Sequence, residues 1–174
     1  MPSKFSLPAV LWITGLPAAG KTTLAGNIHA ALVRHGIRSL VVDADHMRRT
    51  LNSDLGYNDA DRRENVRRLG ELARFLLGQS ITPVIACISP FREQREALRH
   101  NFAPGRFIEI FADTPLEICR QRDPKGLYKR AQRGELKQFT GLDSAYEPPT
   151  TPDFAFKPDS FSENEFLHRF DFGE

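Results

Sequence analysis

Apolar residues fall into two patterns along this chain: short continuous runs, and longer stretches that repeat with helical period. The run "AVLWIT" reads as a strand, and "TTLAGNIHAALVRHG" after it reads as a helix. A second run, "RSLVVDAD", ends in two acids. In "NDADRRENVRRLGELARFLLGQ", Val66, Leu69, Ala73, Leu76 and Leu77 recur at helical spacing, with Asn58 or Asp59 as N-cap. "TPVIACISP" is a third strand stopped by Pro90, "FREQREALRHNF" a helix, and "RFIEIFAD" a fourth strand. "TPLEICRQR" predicts a short helix capped by Thr114, with Pro115 at its first position. The chain is polar and basic from Asp123 to Gly141; "DFAFKP" then suggests a short fifth strand and "SENEFLHRF" a terminal helix. Strands alternating with helices predict an α/β fold, a mostly parallel five-stranded sheet covered on both faces.

Composition changes this picture little. The 174 residues are expected to form one domain, 1–174, with a tail from about residue 150. With 40% hydrophobic and 26% charged residues, the chain has the make-up of a globular protein. A formal net charge of +2 is too small to predict a nucleic-acid or membrane partner. Cys87 and Cys119 have no metal-ligand spacing and suit a reducing compartment, so a cytoplasmic enzyme or nucleotide switch is expected. The apolar start runs directly into the next motif and reads as a core strand, and no run approaches the roughly 18 apolar residues of a membrane span.

Ligands of parallel α/β sheets bind beyond the carboxyl ends of the strands, which directs attention to the residues just after each one. The first such segment, "GLPAAGKTT", fits G-x-x-x-x-G-K-[ST]. Its residues Gly15, Leu16, Pro17, Ala18, Ala19, Gly20, Lys21, Thr22 and Thr23 are the expected ATP-binding loop. The glycines let backbone N–H groups face phosphate oxygens, Lys21 reaches the β/γ-phosphates, and Thr22 offers a hydroxyl to Mg²⁺. The second segment holds Asp43 and Asp45, two apart and therefore pointing the same way if strand geometry persists. Asp45 suits a base or orienting role and Asp43 the metal side; either acid could instead cap a helical turn. The third strand ends in Ser89 rather than an acid, and Ser89 either hydrogen-bonds a substrate or simply terminates the strand. In "DRRENVRR", cations at a helix start are disfavoured by the dipole, so Arg62, sharing a face with Asn65, suggests an anionic ligand. Arg63, Arg67 and Arg68 read as a solvated, salt-bridged face. The basic stretch 123–141 fits a lid that closes over phosphates and excludes water, and Tyr57, Phe91 and Phe139 are aromatics placed to stack on a base.

Together, "GLPAAGKTTLA", "DADHMRRTLNSDLGY", "DRRENVRR", "ISPFR", "DTPLEICRQRDPKGLYKRA" and "FTGLDSAYEPP", from about Leu11 to Pro149, resemble the adenylyl-sulfate kinase family. The resemblance implies a P-loop kinase fold of three α/β/α layers with a mobile lid. It implies transfer of the γ-phosphate of ATP, with Mg²⁺, to the 3′-hydroxyl of adenosine 5′-phosphosulfate. Related kinases acting on another hydroxyl, and a nucleotide-binding module without turnover, are the alternatives. By resemblance, Asp45 activates the acceptor hydroxyl, and Asp45, Lys21 and Ser89 form the catalytic set. Arg48, Arg62 and Asn65 grip the acceptor, Tyr57 and Phe139 sandwich its adenine, and Ile88, Ser89, Lys125, Gly126 and Leu127 also contact it. Ser89 matches the serine described in the family as phosphorylated, although in-line transfer needs no such intermediate. Cys119 and Arg122 would border the ATP base, Thr22 and Asp43 would serve the metal, and a homodimer is implied. Three departures stand out: Ala44 replaces the usual Gly, with strain if φ must be positive there; His46 replaces the usual Asn; and the C-terminal segment differs.

Overall fold

The computed structural model describes residues 5–157 and 160–171; the ends of the expected domain and residues 158–159 of its tail lie outside them. Five strands form one sheet: β2 (Val10–Thr14), β3 (Ser39–Asp43), β4 (Thr82–Ala86), β5 (Phe107–Ala112) and β6 (Phe154–Phe156). Their order is β3-β4-β2-β5-β6 and every pairing is parallel. The central strands β2 and β4 are buried along their whole length, which explains their continuous apolar runs, whereas edge strand β3 is partly exposed.

One core lies on each side of the sheet. On one face, α1 (Lys21–Arg34) buries Leu24, Ala25, Ile28, Ala31 and Leu32, joined by Phe166 and Leu167 of α7 (Glu163–His168). On the other, α3 (Asp59–Gly78) buries Val66, Leu69, Ala73 and Leu76, with Leu98 of α4 (Arg92–His100) and Trp12 of β2. These are the three expected layers. Asn58 is the cap of α3, its side chain accepting from the Asp61 N–H.

Two expectations needed correction, and three short elements were not foreseen. Thr114 does not cap α5 (Leu116–Arg122), which has no side-chain cap bond; its hydroxyl instead donates to the Ala19 carbonyl at 2.9 Å. Asp43 and Asp45 do not share a strand face, because the chain turns into α2 (Ala44–Met47) directly after Asp43. Ala44 lies inside that helix, so the departure from Gly carries no positive φ. The basic segment contains α6 (Leu127–Gln132), and two-residue strands β1 (Phe5–Ser6) and β7 (Phe170–Asp171) pair in parallel.

Candidate active site

Strand register sets the site. Asp43 lies level with Ala86, and Ala86 with Ile13, so β3, β4 and β2 end together. The chain runs outward from β2 to β3 on one side and reaches β5 on the other, which opens a crevice at the carboxyl ends. This crevice has a volume of about 1090 Å³. Among the described residues, five non-glycines have positive φ: Ala18, Ser80, Ser89, Asp123 and Gln138; all but Ser80 line the crevice. Strained backbone of this kind concentrates where a ligand site is over-determined by its surroundings.

The phosphate side is the loop from Gly15 to Lys21. A Cβ on Gly15 would stand 2.9 Å from the Ala112 carbonyl oxygen, so the loop root admits only glycine against β5. Gly20, left-handed at φ 88°, opens α1 without a side-chain cap, and leaves the helix N-terminus for an anion. The loop is braced from behind: Thr114 donates to Ala19, and the Tyr128 hydroxyl donates to the Pro17 carbonyl at 3.0 Å. The Lys21 ammonium donates to the carbonyls of Gly15 (3.0 Å) and Leu16 (2.7 Å). Burial lowers its pKa to about 8, against the smaller opposing pull of Cys87, Asp45 and neighbouring groups. The negative charge of a polyphosphate in the loop would oppose that shift.

Asp43 caps the helical turn and also faces the phosphate loop. Its Oδ1 caps α2, accepting from the N–H groups of Asp45 (2.8 Å) and His46 (3.4 Å), and its Oδ2 accepts from the Thr22 hydroxyl at 2.6 Å. Thr22 and Asp43 thus put two oxygens side by side at the loop, a donor set that suits a hard cation. Among the described residues no group of three or more His, Cys, Asp or Glu is arranged to hold a metal by itself. Mg²⁺ would therefore be held at Thr22 and Asp43 together with nucleotide phosphates, the usual arrangement for this ion.

The acceptor side faces the loop. Asp45 is exposed at the start of α2 and forms an ion pair with Lys125 from the basic segment. Arg62 is buried, and its three bonds all go to neutral acceptors: the Tyr57 carbonyl at 2.6 Å, the Thr140 hydroxyl and the Gln138 carbonyl. Arg48 donates to the Gly56 carbonyl at 2.6 Å and lies over the Tyr57 ring, 4.6 Å from its centroid. Burial and the nearby Arg48 charge both lower the pKa of the Arg62 guanidinium. Two cations in one wall, with no carboxylate bonded to either among the described residues, make a place for an anion. Asn65, also buried, accepts from Asn52 at 3.0 Å. Arg63, Arg67 and Arg68 face outward and pair with Glu93, Glu64 and Asp54, the solvated face read from the sequence. Arg67 and Arg68 together pull the Glu64 pKa down to about 2.

Of the site residues read from the sequence, Pro17, Ala18, Gly20, Lys21, Thr22, Thr23, Asp43, Asp45, Arg48, Tyr57, Arg62, Asn65, Ile88, Ser89, Arg122, Lys125, Leu127 and Phe139 line this one crevice. Gly15, Leu16 and Ala19 support the loop from behind, and Gly126 opens α6. Cys119 is not brought there: it is fully buried in the core, its thiol against the Thr114 carbonyl. The sequence reading did not single out Thr140, Gln138 or Tyr128, whereas Arg130 and Lys137 belong to the basic stretch it read as a lid and do line the crevice. Thr140 and Gln138 flank Phe139, so the neighbours of a chosen aromatic were the available signal.

The family model for adenylylsulphate kinase matches residues 7–157. An adenylyl-sulfate kinase of Yersinia pestis is 52% identical over 144 residues, 83% of this chain and 68% of that protein. A probable adenylyl-sulfate kinase of Bacillus subtilis is 50% identical over 153 residues, 88% of this chain and 77% of that protein. The solved structure of a Mycobacterium tuberculosis APS kinase, in complex with AMPPNP and APS, superposes with a TM-score of 0.84 at 40% identity, covering 96% of this chain and 95% of that one. A phosphate loop, a facing carboxylate and the guanidiniums of Arg48 and Arg62 thus line one crevice in a chain that belongs to the adenylylsulphate kinase family.

Proposed function

We infer that this chain is an ATP-dependent kinase that transfers the γ-phosphate of ATP to the 3′-hydroxyl of adenosine 5′-phosphosulfate, giving 3′-phosphoadenosine 5′-phosphosulfate and ADP. The observation that carries this is one crevice holding both the phosphate loop and a carboxylate, Asp45, beside Arg48 and Arg62. The named complex of the Mycobacterium tuberculosis kinase with AMPPNP and APS supports the same pair of ligands here.

The residue roles are our proposal. Lys21 and the loop N–H groups hold the β/γ-phosphates. Mg²⁺, bound with ATP at Thr22 and Asp43, supplies charge neutralisation on the phosphate oxygens. Arg48, Arg62 and Asn65 hold the phosphosulfate end of the acceptor, and Tyr57 and Phe139 stack on its adenine. Asp45 accepts the 3′-hydroxyl proton as the new O–P bond forms and the bond from the γ-phosphorus to the bridging oxygen of ADP breaks. Lys125 must leave Asp45 for this; the pair is exposed on both sides, and such pairs are worth only about 0–1 kcal/mol. Ser89 accepts from the Trp12 indole N–H at 2.9 Å, which favours a wall and contact role over a phosphorylated intermediate.

We further propose one kinase domain whose lid spans about 123–141, a homodimer, and a cytoplasmic setting. The free thiols Cys87 and Cys119 support the last, and exposed Leu51 and Phe75 offer apolar surface for the dimer, whose stoichiometry sedimentation would read. The test of the reaction is mass spectrometry after incubation with ATP, Mg²⁺ and adenosine 5′-phosphosulfate. The expected result is the 3′-phosphorylated product; intact acceptor with slow ATP hydrolysis would overturn the acceptor assignment.

A further inference from the structure

Arg95 stands outside the crevice, on the inner face of α4, and is 1% exposed. Its guanidinium donates in three directions: to Glu109 Oε1 on β5 at 2.7 Å, to the Ser89 carbonyl at 2.6 Å, and to the Glu147 carbonyl at 2.7 Å. Neutralising Glu109 alone does not require this arrangement, since Arg99 also approaches Glu109 at 3.5 Å. The two carbonyls belong to the two chain segments that form the acceptor wall. One is 88–90, where Ser89 is held at φ 38° and Ile88 and Ser89 line the crevice. The other is the stretch 138–148, which carries Phe139 and runs back across the strand ends.

That stretch is tied at both ends. Arg62 holds Gln138 and Thr140, while at the far end the Tyr146 hydroxyl meets the Thr14 hydroxyl at 3.0 Å and the Arg92 N–H donates to Glu147 at 2.7 Å. Thr14 in turn donates to the Ile88 carbonyl at 2.7 Å. Arg95 joins the two segments directly, and none of these three bonds goes to loop residues 15–23.

We propose that Arg95 is a positioning residue for acceptor recognition, fixing the 88–90 segment against the 138–148 strap from inside the core. This rests on the reaction inferred above. Arg95→Lys keeps a cation beside Glu109, but one ammonium on a flexible stem does not reproduce a planar fork serving three acceptors. The expected result is a rise of about tenfold in the KM for adenosine 5′-phosphosulfate, the scale of one charge-assisted hydrogen bond, with the KM for ATP within about twofold. Glu109→Gln is the control: it weakens the ion pair and keeps both carbonyl bonds, so it lowers the thermal midpoint and leaves the acceptor KM unchanged. Hydrogen exchange of the free protein reads the strap without any ligand, and residues 139–147 should exchange faster in Arg95→Lys but not in Glu109→Gln. Should Arg95→Lys fail to fold, Arg95→Met combined with Glu109→Gln removes both charges together and is read in the same way. Proportional rises in both KM values, an acceptor defect equal in Glu109→Gln, or unchanged exchange in the strap would each overturn the proposal. Wild-type product formation, measured in the same series, tests the reaction itself; without product, the exchange arm still decides the role of Arg95.

Discussion

In the proposed reaction Asp45 and Lys21 divide the chemistry between them, and each gives a separable prediction. Asp45→Ala should retain ATP binding and lose transfer by a factor of about 100 or more, the range for general-base catalysis. Single-turnover phosphorylation of adenosine 5′-phosphosulfate, with ATP binding followed by calorimetry, would check both halves. Lys21 predicts a pH effect on the other substrate. Its pKa is lowered to about 8 in the folded protein, and nucleotide phosphates favour the charged form. Below that value the ammonium is already present and ATP affinity is flat; above it, binding must take up a proton. Affinity for ATP should therefore fall as pH rises from about 8 towards the lysine value of about 10.4, with proton uptake visible when calorimetry is repeated in buffers of different ionisation enthalpy.

At the scale of elements, the P-loop and the start of α3 make opposite demands. Gly15 sits against β5 with no room for a Cβ, so Gly15→Ala should displace the loop and raise the KM for ATP more than that for the acceptor. Arg62→Ala should do the reverse, since its partners and its crevice face all lie on the acceptor side. Steady-state kinetics with each substrate varied in turn separates the two. The loop, the strands and the buried faces of α1 and α3 were legible because glycine spacing and hydrophobic period are local properties. Arg62 and Asn65 were legible for the same reason, lying one turn apart beside Val66 on the buried face. What was not legible depends on distant partners. Thr114 resembles a helix cap in sequence but spends its hydroxyl on Ala19, 95 residues away. Cys119 sits among plausible base contacts in sequence, and the fold turns it into the core. Arg95 gave no sequence signal, because its acceptors are backbone carbonyls and Glu109, brought together only by the tertiary fold.

Across the whole molecule, the face opposite α3 is closed by an aromatic cluster that the departing C-terminal sequence supplies. Phe166 is fully buried with ring centroids 5.0 Å from Phe154 and 4.9 Å from Phe170. The fifth strand and terminal helix were visible in the sequence, whereas β1 and β7 were too short for any periodicity. Phe166→Ala should cost about 3–5 kcal/mol in denaturant unfolding and leave both KM values in place, because its ring packs on Phe154, Phe156, Phe161 and Phe170, none of which lines the crevice. The opposite core holds the only tryptophan of the chain, Trp12, fully buried, with its indole N–H on the Ser89 hydroxyl. Emission excited at the red edge, where indole absorbs and the three tyrosines do not, therefore comes from one chromophore, a single hydrogen bond away from the acceptor wall. Acceptor binding that draws on the Ser89 hydroxyl should shift that emission, while a nucleotide confined to the phosphate loop should leave it nearly still. The two ligands would then be told apart by colour, in stopped flow, before any phosphate moves.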